Sequence, residues 1–158
     1  MINRHFTQKD FEERISADYV FYYYNQNKEL DHDDVNKVFL IYLEKIKDKI
    51  NPEFHPFIEY SKEFYFGSHV GDEKFLEEKR IELWKKIGNY SQSRFYNEGR
   101  LVLHVLYSLK ACIALNTDEP EYMISLFFAE ALDLDGDNWQ YIEPSIAQYY
   151  APTFIVED

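Results

Sequence analysis

The chain has 158 residues, 46% of them hydrophobic and 18% aromatic, and a formal net charge of −12. That length buries a core without help from metal or disulfide, and that composition excludes a disordered chain. The negative balance repels phosphate backbones and anionic lipid, so nucleic acid and membranes are not expected as partners and a basic one is favoured.

Thr7 caps a predicted helix running to about Gln26, with Phe11, Ile15, Tyr19 and Tyr22 or Tyr23 on its inner face. Asp31 caps a second, striped by Val35, Val38, Phe39, Tyr42, Leu43, Ile46 and Ile50, and Asn51-Pro52 ends it. Pro56 suits the first turn of a helix through Phe57, Tyr60, Phe64 and Tyr65, closed by Gly67. Asp72 caps the next, whose inner residues are Leu76, Leu83, Trp84 and Ile87, and Gly88 stops it.

The stretch from about 92 to 116, opened by Ser91 or Ser93, is expected to be the buried central helix. From Leu101 onward it is apolar on nearly every face, and such a helix must be covered on most sides. Its polar row is Arg100, His104 and Ser108 at i, i+4 spacing, with Lys110 on another side. Asn116 is its exit. Thr117-Asp118 then caps a helix over about 119–132, again apolar on most sides through Tyr122, Met123, Ile124, Leu126, Phe127, Phe128 and Ala129. A loop from Asp133 to Asp137 precedes a helix from about Asn138, in which Pro144 either makes a kink or begins a separate last turn. Phe154 to Val156 is the one candidate strand. The pattern defines an all-α single domain, an irregular bundle of about seven helices.

Cys112, the only cysteine, cannot form a disulfide within the chain and fits a reducing compartment. The opening MINRHFTQKDFEERIS is too polar for a signal-peptide core, and no apolar run reaches the roughly 20 residues of a membrane span. A cytoplasmic protein is expected.

Charge is distributed unevenly. Residues 1–90 hold eighteen acids and fourteen bases, whereas no Lys or Arg follows Lys110. The uncompensated acids are Asp118, Glu119, Glu121, Glu130, Asp133, Asp135, Asp137, Glu143, Glu157 and Asp158, interleaved with Tyr122, Trp139, Tyr141, Tyr149, Tyr150 and Phe154. One reading is solubility and helix capping. The other is a surface for a cationic protein, in which charge steers association and aromatics supply affinity. On that reading Glu119, Glu121, Asp133, Asp135, Asp137, Trp139, Tyr141, Glu143, Tyr149 and Tyr150 contact the partner.

Other constellations point less far. Asp133-Leu-Asp135-Gly-Asp137 has carboxylates at alternate positions, but a calcium loop requires Gly and Glu where Asn138 and Pro144 stand. Glu29-x-x-His32 has the spacing of a di-iron ligand pair without the second copy such a site needs. Arg94 and Glu98 form an i, i+4 pair, worth a few tenths of a kcal/mol. Arg100, His104 and Ser108 outline a polar pocket or the wet edge of a buried helix, and a Ser/His pair on one helix lacks nucleophile–base geometry. No catalytic residue, metal or cofactor is expected.

An acidic, all-helical chain with an aromatic, acid-rich final third resembles the helical immunity proteins of bacterial polymorphic-toxin and contact-dependent-inhibition systems. The resemblance lies in general character over the whole chain and rests on no motif. It implies one-to-one binding of a cognate toxin domain, often a basic nuclease. The alternatives are a small helical enzyme or ligand-binding domain with a pocket around Arg100 and His104, and an acidic adaptor.

Overall fold

Side chains from two helices meet at one aromatic stack: Phe39 lies parallel to Phe127 at 3.9 Å, with Tyr42 and Phe128 edge-on around it. The computed structural model describes residues 5–13, 15–90 and 93–151. Among them are nine α-helices, seven of which have seven residues or more, and no strand. The expected strand at Phe154 to Val156 lies outside the described residues.

The helices are α1 (Gln8–Glu13), α2 (Ala17–Tyr24), α3 (His32–Lys45), α4 (His55–Phe66), α5 (Glu73–Ile87), α6 (Arg94–Leu103), α7 (Leu109–Ala114), α8 (Pro120–Leu134) and α9 (Ile142–Tyr150). Short 3-10 segments join several of them. α3 packs against α4, α8 and α9, while α5 and α6 close the far side through α4 and α8. Buried side chains from Phe6 to Ile146 form one hydrophobic cluster.

The centre of the bundle is α3. All seven residues of the predicted stripe are buried, five of them at 0% exposure, but the helix ends at Lys45 and not at Asn51-Pro52: Ile46 and Ile50 flank the 3-10 turn Lys47–Lys49. Its start is set by Asp31, whose carboxylate accepts from the Asp33 N–H at 2.8 Å. Asp72 and Ser93 cap α5 and α6 in the same manner, and Pro56 occupies the first turn of α4.

The expected continuous helix over 92–116 is broken. α6 ends at Leu103, His104–Leu106 tighten into a 3-10 turn, and Tyr107 and Ser108 are extended. Three side chains stabilise the break. Ser61 Oγ donates to the Val105 carbonyl at 2.7 Å, Asn36 Nδ2 donates to the Tyr107 carbonyl at 3.1 Å, and Ser108 Oγ accepts from Ala111 N–H at 3.1 Å. Partners from α3 and α4 thus satisfy carbonyls that the helix would otherwise have bonded. Asn116 ends α7 in the left-handed conformation, φ 58°.

Two other expectations change. The helix from Thr7 to about Gln26 is two helices, because Ser16 is extended and begins α2 afresh. The restart rotates the inner face to Ala17, Val20 and Phe21, leaving Tyr19 and Tyr23 exposed. Pro144 does not kink a helix; it sits in the first turn of α9, where its missing N–H costs nothing. Gly99 lets α6 lie against α5: a Cβ there would stand 2.1 Å from Ile87 Cγ2.

His32 is buried at the start of α3; its Nδ1 lies 3.5 Å from Asp33 Oδ1, too far for a good hydrogen bond, and its Nε2 has no partner among the described residues. Burial lowers its pKa, against the opposing pull of Asp33, Asp31 and Glu73. The folded state therefore binds this proton less readily than the unfolded chain does. Below an unfolded pKa of about 6.5 the unfolded chain gains the proton first, and folding stability falls with pH. Urea midpoints measured from pH 7.5 to 5.5 should decline, and His32→Leu should flatten that decline. An unchanged slope would assign it to other groups.

Candidate functional site

The ten residues expected to contact a partner divide into three groups. Glu143 is in the core, 1% exposed. It accepts from the Tyr24 hydroxyl at 2.7 Å and from the His5 and Phe6 N–H groups at 3.2 Å each. It is removed from the surface because α9 turns it inward against α2. Tyr149 and Tyr150 also pack inward: Tyr149 bonds to Asp34, and the Tyr150 ring meets Phe21.

The 135–141 segment is fastened to α3 and the turn after it. Lys49 Nζ reaches Asp135 at 3.0 Å and Asn138 Oδ1 at 2.9 Å, and the Tyr42 hydroxyl donates to the Asn138 carbonyl at 3.0 Å. The bond from Lys49 holds the Asp135 carboxyl below its usual range, while Asp135 caps the turn by accepting from Asp137 N–H at 2.9 Å. Lys49 also lies over the half-buried Tyr141 ring, and the half-buried Trp139 packs against Phe11. Asp137 is exposed. The alternating acids thus include a turn cap with a lysine counter-charge.

The third group lies along α8. Its outward stripe is Tyr122, Ser125, Ala129 and Asp133, at steps of three and four, with Asp118 and Glu119 exposed before its first turn. Glu121 is half-buried and bonded by the Tyr22 hydroxyl, whose pKa it pushes up to about 12. Glu119 is the N-cap of α8, without a side-chain capping bond, so the expected cap at Thr117-Asp118 is not used. Thr117 instead donates to the Cys112 carbonyl at 3.4 Å.

α7 carries the largest departure from expectation. Because the chain breaks at Tyr107, α7 emerges as an outer helix. Leu109 is 42% exposed, Ile113 57%, Leu115 55% and the neighbouring Tyr122 54%. Leu115 and Tyr122 line one cleft, and Leu109 and Ile113 line another with Phe64, Tyr65 and Val70; single exposed apolar residues need no explanation, but several on α7, its end and the start of α8 mark an interaction surface. Sequence periodicity placed Leu109, Ile113 and Leu115 in the core, and the break in the helix turns them outward.

Between α5, α6, α7 and α8 opens a cleft of about 210 Å³, lined among others by Trp84, Arg100, His104, Tyr107, Leu115 and Tyr122. Trp84, expected inside, is exposed on this wall and donates its indole N–H to the Tyr107 hydroxyl at 2.8 Å. His104 Nε2 lies 2.5 Å from Glu130 Oε2, and its ring stands edge-on to Phe127. Ser108 does not join Arg100 and His104, since it caps α7. Cys112 also lines the cleft, and burial raises its thiol pKa, which makes it a poor nucleophile.

Arg94 and Glu98 do pair, at 3.2 Å, yet Glu98 is 2% exposed. Its carboxylate also accepts from Asn51 N–H at 2.6 Å, so it fastens α6 to the turn before α4. No helix of the described residues is long and apolar enough to cross a membrane. Comparison with protein-family models, curated proteins and solved structures finds no match to this chain.

Proposed function

We propose that this chain acts by binding: it neutralises a cationic protein domain, in the manner of a bacterial immunity protein, through the α7–α8 face. The observation that carries the reading is the exposure of Leu109, Ile113 and Leu115 on α7 and its end and of Tyr122 at the start of α8, with Asp118 and Glu119 exposed in the segment that joins the two helices. Lys110 is the only base on α7, and none lies on α8.

Charge complementarity selects the partner. Acids flanking an apolar centre accelerate encounter with a basic surface, and desolvated apolar side chains then supply residence time. Asp133 extends the face along α8, while Asp137 stays at its far end. Glu143, Tyr149 and Tyr150 serve the core instead, and Asp135 is partly spent on Lys49. The docking centre therefore lies nearer the start of α8 than its end.

The test begins with the basic C-terminal domain encoded by an adjacent reading frame. Binding should weaken as salt rises. Replacing Asp118 and Glu119 together by lysine should slow association about tenfold or more. Ile113→Ala or Tyr122→Ala should speed dissociation by a similar factor, since each removes an apolar anchor. Rates that match the wild type in all three variants would place the interface elsewhere, and salt-independent binding would remove the electrostatic argument.

A further inference from the structure

The cleft beside this face contains a guanidinium that the protein leaves largely unused. Arg100 is half-buried on α6, over the Trp84 ring at 5.6 Å and the Tyr96 ring at 5.9 Å. Of its five N–H donors, one makes a long bond of 3.4 Å to the Tyr96 hydroxyl. Arg100 forms no ion pair among the described residues. Glu130, the acid whose field reaches it, is held by His104 at 2.5 Å. Glu130 and Asp133 border a second pocket that Arg100 shares, and neither is among the residues lining this cleft.

The walls around it favour a planar apolar body. The cleft's lining includes the aliphatic Leu103, Leu115, Met123 and Leu126 and the rings of Trp84, Tyr107 and Tyr122. The Arg80 guanidinium lies 4.9 Å over the Tyr107 ring and is itself paired with Glu77 at 3.6 Å, which leaves Arg100 as the cleft's own positive charge. The volume, about 210 Å³, falls below the roughly 300–1,000 Å³ of drug-sized sites. It suits a molecule with a single ring.

We propose that this cleft binds a small aromatic monocarboxylate, its ring among these aromatic and aliphatic side chains and its carboxylate bidentate on Arg100. Arginine is the side chain whose paired donors match a carboxylate, and an apolar surround strengthens that contact. The inference does not depend on the α7–α8 face having a partner.

The experiment uses the full chain and three probes of one shape: phenylacetate, its neutral amide phenylacetamide, and benzylamine. The indole N–H resonances of Trp84 and Trp139 report separately in NMR titrations. Phenylacetate should bind saturably with Kd on the order of 1 mM, as expected for about ten non-hydrogen atoms. It should shift Trp84 and leave Trp139 unmoved. Phenylacetamide should bind at least about tenfold more weakly, and benzylamine should not bind. In Arg100→Gln the preference for acid over amide should vanish while the thermal midpoint stays near that of the wild type. Equal affinity for acid and amide in the wild type would overturn the proposal without reference to any variant. So would equal shifts at both tryptophans, or an Arg100→Gln chain that keeps its preference for the acid.

Discussion

Phe127→Ala should cost about 3–5 kcal/mol of folding stability, the largest loss expected from a single truncation in this chain. Phe127 is fully buried and stacked on Phe39 at 3.9 Å, with Tyr42, Phe128 and His104 edge-on to it. The cost combines the lost transfer of a ring from water, the cavity it leaves, and the aromatic contacts beyond area burial. Relaxation is restricted because the surrounding side chains come from α3, α8 and the 3-10 turn after α6, and no single helix shift fills the space. Urea denaturation should show a lower midpoint with an unchanged slope. The thermal midpoint should fall by about 10 °C or more. Phe66→Ala supplies the comparison: that ring is 56% exposed, and its loss should stay within about 0.5 kcal/mol. If the two substitutions cost the same, α3 and α8 do not meet at this stack.

Glu143→Ala should cost about 3 kcal/mol, although sequence reasoning placed this residue on a binding surface. The carboxylate takes three donors, from Tyr24, His5 and Phe6, in a site that is 1% exposed. Alanine removes all three acceptor contacts at once and leaves buried N–H and O–H groups to be re-satisfied, which is the expensive way to lose hydrogen bonds. The Tyr24 phenol is correspondingly hard to ionise, its pKa raised by burial and then by the carboxylate beside it. Glu143→Gln keeps a carbonyl acceptor and should lose about half as much. Limited proteolysis should cut near residues 5–6 faster in the alanine variant, because Glu143 binds the backbone there. Partner association by the folded fraction should not change. A binding defect without loss of stability would return Glu143 to the docking surface.

The candidate site was legible in pieces. Arg100 and His104 stood out as a polar row on an apolar helix, and both line the cleft. Trp84, Thr117 and Tyr122 complete it from other elements, and nothing in their local sequence assigns them to one wall. Ser108 was read into the same row by i, i+4 spacing. That spacing holds only while the helix continues, and it ends at Leu103.

By itself the sequence determined the all-α class, the apolar stripe of α3, the capping residues Asp31 and Asp72, a serine start to α6 at Ser91 or Ser93, and the absence of bases after Lys110. These are local or compositional properties: a cap needs a side chain two or three residues from the N–H it binds, and a stripe needs only the helical period. The tertiary structure alone decided where the apolar run from Leu101 to Leu115 breaks, and so whether Leu109, Ile113 and Leu115 face the core or the solvent. It likewise decided that Glu143 serves Tyr24, that Asp135 serves Lys49, and that Asp118, Glu119 and Asp133 remain at the surface. The reason is that a hydrogen-bond or charge partner distant in the chain outweighs local preference. Ser61 and Asn36 satisfy carbonyls that helix periodicity would have assigned to the next turn.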